Sequence, residues 1–136
     1  METKLTPRGI RNNNPLNIIH SGAKWQGLAD FQPDKNFCKF TSMAYGIRAA
    51  VLILRSYRKK GFTTVQAIVT RWCPDRTAPA YIQRVCKETG WPHTKVVDVF
   101  NRVEVAALLT AMTKVECANY VLQRSDIDKA FSMVKW

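Results

Sequence analysis

Beyond residue 40 the apolar positions of this chain recur at helical spacing, whereas the first 30 residues, rich in Asn, Gly and Pro, show no sustained period. Those first residues read as loops, with one short strand or turn at positions 16–20. Phe37, Cys38, Lys39 and Phe40 alternate apolar and polar character and predict a brief strand. Thr41 and Ser42 then offer N-caps to a long helix reaching about Lys60, with Ile47, Val51, Leu54 and Arg58 along one side, and Gly61 stops it. Thr63 or Thr64 caps a shorter helix through Trp72, which Pro74 ends. Another runs from about Ala78 to Glu88 and closes at Gly90, ahead of Pro92. The apolar piece at 96–100 reads as a turn of helix. A long helix follows Asn101 and ends near Tyr120, and a last one starts after Ser125, where Asp128 three residues on makes a weak capping box.

One polar residue breaks this pattern. At about 100° per residue, Glu116 falls within roughly 20° of Val105 and Leu109 and about 40° from Met112, on the apolar stripe of its helix. Glu104 of the same helix lies about 120° away and reads as a solvated acid. A carboxyl group held against apolar neighbours is disfavoured in its charged form, so Glu116 is expected to have a raised pKa suited to a general acid. The plain alternative is that the helix stops there and Glu116 turns to water or to a basic residue.

A chain of 136 residues with 46% hydrophobic content predicts one domain spanning residues 1–136. No apolar run approaches the roughly 20 residues that cross a bilayer. The polar N-terminus, with Glu2 in an unstructured end, lacks the apolar segment of a secretory signal, which predicts synthesis in the cytoplasm and delivery to any outer site by another route. The four cysteines show no paired spacing and only His20 and His93 accompany them, so zinc is not expected, no motif asks for a cofactor, and free thiols are the default. A net charge of +11 attracts nucleic acid, anionic bilayers or an anionic cell wall alike. No nucleic-acid recognition element is legible, and the cluster Arg55, Arg58, Lys59 and Lys60 reads as the basic end of a helix. Trp72, Trp91 and Phe100 are expected in the core, and both histidines in structural roles.

The motifs Arg8-Gly-Ile-Arg-Asn-Asn-Asn-Pro-Leu-Asn-Ile18, Trp25-Gln-Gly27, Phe37-Cys-Lys-Phe40, Tyr45-Gly-Ile-Arg-Ala49 and Arg71-Trp72 resemble small phage and prophage virion-type proteins over most of this length. More distantly, Asn13-Asn-Pro-Leu-Asn-Ile18, Trp25-Gln-Gly27, the 37–40 strand before a long helix, and Ala78-Pro-Ala-Tyr81 resemble, in the same order, segments of glucosaminidases of the lysozyme-like superfamily. In that superfamily a helix ending in the catalytic Glu precedes the Asn-Asn segment. Here the stretch closing on Glu116 looks like that helix moved to the C-terminus, a circular permutation, which compact domains with neighbouring termini tolerate. Two departures stand out: Cys117 and Ala118 follow the Glu where the family has a small polar residue and Gly, and Ala78 replaces an Asp.

The resemblance implies an α+β, predominantly helical, lysozyme-like domain with a small β element near the N-terminus. It implies cleavage of peptidoglycan glycan strands, with Glu116 as general acid and Tyr81 hydrogen-bonding near the reacting centre. Trp25 would stack on a sugar ring, and Asn12, Asn13 and Asn14 would meet acetamido groups. Asp30 or Asp34 would be the second acid, unless the substrate's own acetamido group serves, with hydrolase and lytic transglycosylase outcomes both open. Each of these residues also has a plain structural reading: Trp25 and Tyr81 as packing aromatics, the Asn run and Asp34 as turn formers. A non-enzymatic virion or secretion-apparatus component with a degenerate lysozyme-like fold is the alternative. A basic nucleic-acid-binding module is a third, carried by charge alone. Expected partners are glycan strands and phage or secretion-system components, with no specific nucleic acid and no membrane insertion.

Overall fold

The computed structural model describes residues 6–136, so the polar opening with Glu2 lies outside the described residues. Six helices carry those residues: α1 (Arg8–Arg11), α2 (Met43–Lys59), α3 (Val65–Trp72), α4 (Ala78–Thr89), α5 (Arg102–Glu116) and α6 (Arg124–Ser132). The protein is thus predominantly helical. α2 runs through the middle because its inward face is apolar and small: Ile47, Val51 and Leu54 are fully buried, and Ala44, Ala49 and Ala50 let α5 and α6 approach its backbone. Burying each large apolar side chain here contributes about 1.5–3 kcal/mol. α4 lies between α3 and α5, packed on both.

Helix ends follow local chemistry. The Thr64 hydroxyl accepts from the Ala67 N–H at 3.1 Å to start α3, and the Asn101 side chain accepts from the Glu104 N–H at 3.1 Å to start α5. α2 ends on Arg58 and Lys59, where positive charge meets the negative end of the helix dipole, as the basic cluster suggested. The opening loop rides directly on α2: a Cβ at Gly46 would sit 2.2 Å from the Asn13 carbonyl oxygen, so only glycine fits.

Five sequence expectations are corrected. Among the described residues the small β element is reduced to isolated bridges, Ile19 with Phe37 and Leu28 with Phe40. Side-chain amides take up backbone groups that a ladder would use: Gln32 donates to the carbonyls of Ala29 and Lys39 and accepts from the Lys39 N–H. In the 96–100 segment, residues 96–98 are extended rather than helical, and residues 99–100 form a turn in which the Asn101 N–H donates to the Asp98 carbonyl at 3.0 Å. Val97 and Val99 point inward while Val96, Asp98 and Phe100 are exposed, and the Val97 N–H donates to the Thr63 carbonyl at 2.9 Å. Phe100 therefore leaves the core, 44% exposed beneath the Arg55 guanidinium at 4.3 Å. α5 stops at Glu116 and not near Tyr120, because Ala118 and Asn119 both adopt left-handed backbone (φ 49° and 69°). α6 begins at Arg124 with no side-chain cap, Asp128 pairing instead with Arg124 at 3.1 Å.

Candidate functional site

The end of α5 meets the opening loop. Gly9 of α1 allows the closest approach: a Cβ there would lie 2.6 Å from the Cys117 sulfur and 2.7 Å from the Asn14 carbonyl. The Cys117 thiol donates to the Pro15 carbonyl at 3.3 Å, and burial, then the charge of Glu116, pushes that thiol up to about 12. All four cysteines are free. This junction sets Glu116 beside Asn17 although 99 positions separate them in the chain.

Asn14 organises the loop that supplies Asn17. Its amide nitrogen donates to the carbonyls of Ile18 and Cys38, each at 2.9 Å, and its amide oxygen accepts from the Ile18 N–H at 2.9 Å. The resulting turn puts Asn17 in the left-handed region at φ 52°, a conformation that Asn tolerates better than most residues. Asn17 Nδ2 then donates to Glu116 Oε1 at 2.9 Å and to its backbone carbonyl at 3.2 Å. Its own Oδ1 is buried with no partner, an orphaned acceptor of the kind that gathers at functional sites.

The second clamp comes from α4. A turn at Asp75 to Thr77 and a proline in the first turn set the start of α4, and Tyr81 faces α5, 4% exposed. Its hydroxyl donates to Glu116 Oε2 at 2.9 Å. Burial, then the carboxylate's charge, holds the phenol well above its ordinary pKa, so it stays a neutral donor. Glu116 itself is pushed up by burial, held back by the bonds from Asn17 and Tyr81, and pushed up again by the charge of Asp75. Asp75 is exposed and moves the other way, lowered first by the Thr77 hydroxyl and then by the Thr77 N–H. Two carboxyl groups whose surroundings drive their pKa values apart are the usual partition of acid and base.

Beside Asn17 runs a groove of about 380 Å³ lined by Asn17, Trp25, Tyr57, Arg71, Trp72 and Pro74, among others. Trp72 is half-buried rather than core, its indole N–H donating to the Leu16 carbonyl at 3.0 Å and its ring edge-on to Tyr57 at 5.8 Å. The structure thus brings Glu116 and Tyr81 together and sets Trp25 in the groove, with Asn17 as the residue that touches both the acid and the groove.

The Asn run does not join them. Asn14 is 0% exposed and fully used by the backbone, Asn13 donates to the Phe40 carbonyl at 3.0 Å, and buried Asn12 donates to Asp34 at 3.3 Å. Their amides are drawn in because a loop without a sheet ladder leaves backbone groups that need partners. Asp34 is a turn residue, accepting from the N–H groups of Asn36 and Phe37 and pairing with Arg8 at 3.3 Å. Those bonds, the one from Asn36 first, lower its pKa. It borders a separate shallow pocket with Arg8, Arg11 and Lys35. Asp30 is exposed and does not line the groove.

Sequence reasoning missed Asn17, Asp75 and Tyr57. Asp75 had a usable signal: Pro74, Asp75 and Thr77 spell a turn opening a helix, and the acid missing at Ala78 stands three residues earlier.

No protein-family model matches this chain. It is similar to Protein P5 of Pseudoalteromonas phage PM2, with 35% identity over 130 residues, covering 91% of this chain and 79% of the phage protein. At that identity and coverage, the chain belongs to the family of this phage protein.

Proposed function

We propose that the protein is a lysozyme-like enzyme that cleaves the glycan strands of peptidoglycan, with Glu116 as its general acid. The observation that carries this reading is the half-buried carboxyl group of Glu116, clamped by Tyr81 and by Asn17, which itself lines a groove with Trp25, Tyr57 and Trp72. Protonated Glu116 donates to the glycosidic oxygen as the C–O bond breaks, and the leaving sugar departs with that proton. Tyr81 and Asn17 are positioning residues that fix the carboxyl plane. Asp75 stays ionised and supplies the second charge of the reaction, either steadying the cation-like sugar or activating water. Trp25 offers a flat face for a pyranose ring. Membership of a phage protein family supports delivery by a virion or a related injection apparatus. No helix among the described residues is long and apolar enough to cross a membrane.

Turbidity clearing of purified cell walls, followed by mass analysis of the released fragments, tests the reading. Reducing-end sugars mean hydrolysis and anhydro ends mean transglycosylation, while intact walls at micromolar protein favour the second reading. That reading is a non-enzymatic virion component, in which Glu116 only ties α5 to the opening loop. It draws support from the internal bonds that occupy both Glu116 oxygens.

The pH profile gives a signed test. A general acid works while protonated, so activity is lost as pH rises through the Glu116 pKa. Tyr81 lowers that pKa and Asp75 raises it. Tyr81→Phe is therefore expected to move the falling limb to higher pH and Asp75→Asn to lower pH. Profiles that do not move, or move together, count against the assignment.

A further inference from the structure

Arg71 occupies an unusual place in the groove. The groove of about 380 Å³ beside Asn17 and a second of about 570 Å³ along α3 share two lining residues, Arg71 and Pro74, so the two run into one another there. The second is bordered by Phe62, Thr64, Gln66 and Thr70, which continue an aromatic and polar lining past Arg71. Phe62, Tyr57 and Trp72 stand in a row, with ring centroids 5.9 Å and 5.8 Å apart. The rings meet edge to face, at 78° and 71°, so they form one packed wall, and it is the length of the two joined grooves that suits a polymer better than a single sugar.

Arg71 is the cation at the junction. It sits in the last turn of α3, is exposed, and lies 5.8 Å over the Phe62 ring. Its charge reaches the buried side of the groove, where it offsets part of the rise that burial gives the Tyr57 phenol. Among the described residues no carboxylate lies within ion-pair distance of it, whereas Arg8, Arg84 and Arg124 each have one. An arginine left without a counter-ion, and steadied over an aromatic ring, presents a fixed fork of N–H donors to an incoming carboxylate.

We propose that Arg71 is a specificity residue that pairs with a carboxylate carried by the glycan strand, so that the groove selects acid-substituted glycan over a neutral N-acetylglucosamine polymer. This rests on the peptidoglycan reading above and extends it to what the strand must carry. In peptidoglycan the carboxylates belong to the peptide stems, so a strand lying along the joined grooves places a stem beside Arg71.

The test measures binding, which keeps it apart from cleavage. Full-length Glu116→Gln protein is titrated at low ionic strength onto purified cell walls, onto the same walls with their carboxylates converted to amides by carbodiimide and ammonia, and onto chitin. Expected is about tenfold tighter binding to intact walls than to either polymer without carboxylates. Arg71→Gln abolishes that preference by weakening the intact-wall binding alone, and Arg71→Lys restores part of it. Arg58→Gln, an equal loss of charge away from the groove, leaves the preference in place. Equal binding to all three polymers, or an equal loss from Arg58→Gln and Arg71→Gln, overturns the proposal. If the preference holds but wild-type protein cuts nothing, the enzymatic reading fails and the carboxylate-selecting groove stands.

Discussion

Glu116→Gln is expected to lower wall-clearing activity by about 10²- to 10⁴-fold, the range a general acid contributes, while leaving the fold intact. The amide is isosteric and keeps an oxygen to accept from the Tyr81 hydroxyl. Its new N–H₂ group can donate to Asn17 Oδ1, now without a partner, if the Asn17 side chain turns over. The thermal midpoint at neutral pH is therefore expected to stay within about 2 °C. The pH dependence of stability supplies an independent check. The unfolded chain ionises Glu116 near the ordinary value of 4.5, and burial raises the folded value above it. The folded state thus holds the proton to higher pH than the unfolded state does. The stability linked to that proton is fully present below the unfolded value and is lost as pH rises through the folded one. The variant should lose this decline. A variant that clears walls as fast as the parent removes Glu116 from the chemistry, and one that melts many degrees lower makes it a structural clamp.

What was legible in the sequence, and what was not, divides along physical lines. The stripe of Val105, Leu109, Met112 and Glu116 could be read because helical period is a local property. Three of those side chains are buried, and the fourth is half-buried with a raised pKa, as the spacing required. Residues whose placement depends on distant neighbours were harder. Asn12, Asn13 and Asn14 looked like ligands because an amide's chemistry is the same whether it meets a sugar or a carbonyl. The outcome was decided by residues more than 20 positions away, the carboxylate of Asp34 for Asn12 and the carbonyls of Phe40 and Cys38 for Asn13 and Asn14. The helical reading of 96–100 failed at its start for the same reason, since the Thr63 carbonyl that holds residues 96–98 extended belongs to another part of the chain. The nearness of the opening loop to the end of α5 was anticipated through order of motifs. The contact itself rests on Gly9, whose missing side chain gives no signal in a sequence.

Asn14→Ala separates the two roles that this residue can have, and its expected effect is the largest on stability among the polar positions. A residue that contacts sugar from the surface can be removed with little change in midpoint and a rise in KM. Asn14, however, is fully buried and bonds the carbonyls of Ile18 and Cys38 and the N–H of Ile18. Truncation leaves the Ile18 N–H and the Cys38 carbonyl without a partner, while the Ile18 carbonyl keeps the Cys38 N–H, and each orphaned group costs about 1–3 kcal/mol in the interior. A loss of about 3 kcal/mol or more follows, equivalent to a fall of about 10 °C in the thermal midpoint for a chain of this size. Asn14→Asp should be no milder, because a carboxylate keeps the acceptor but turns a second oxygen toward two carbonyls that need a donor. The consequence reaches the acid. With the turn released, Asn17 loses its left-handed geometry and with it the bond to Glu116, so activity should fall even where the variant remains folded. A midpoint within about 2 °C of the parent, together with weaker substrate binding alone, would return Asn14 to the sugar and take away the scaffold on which the placement of Glu116 is argued.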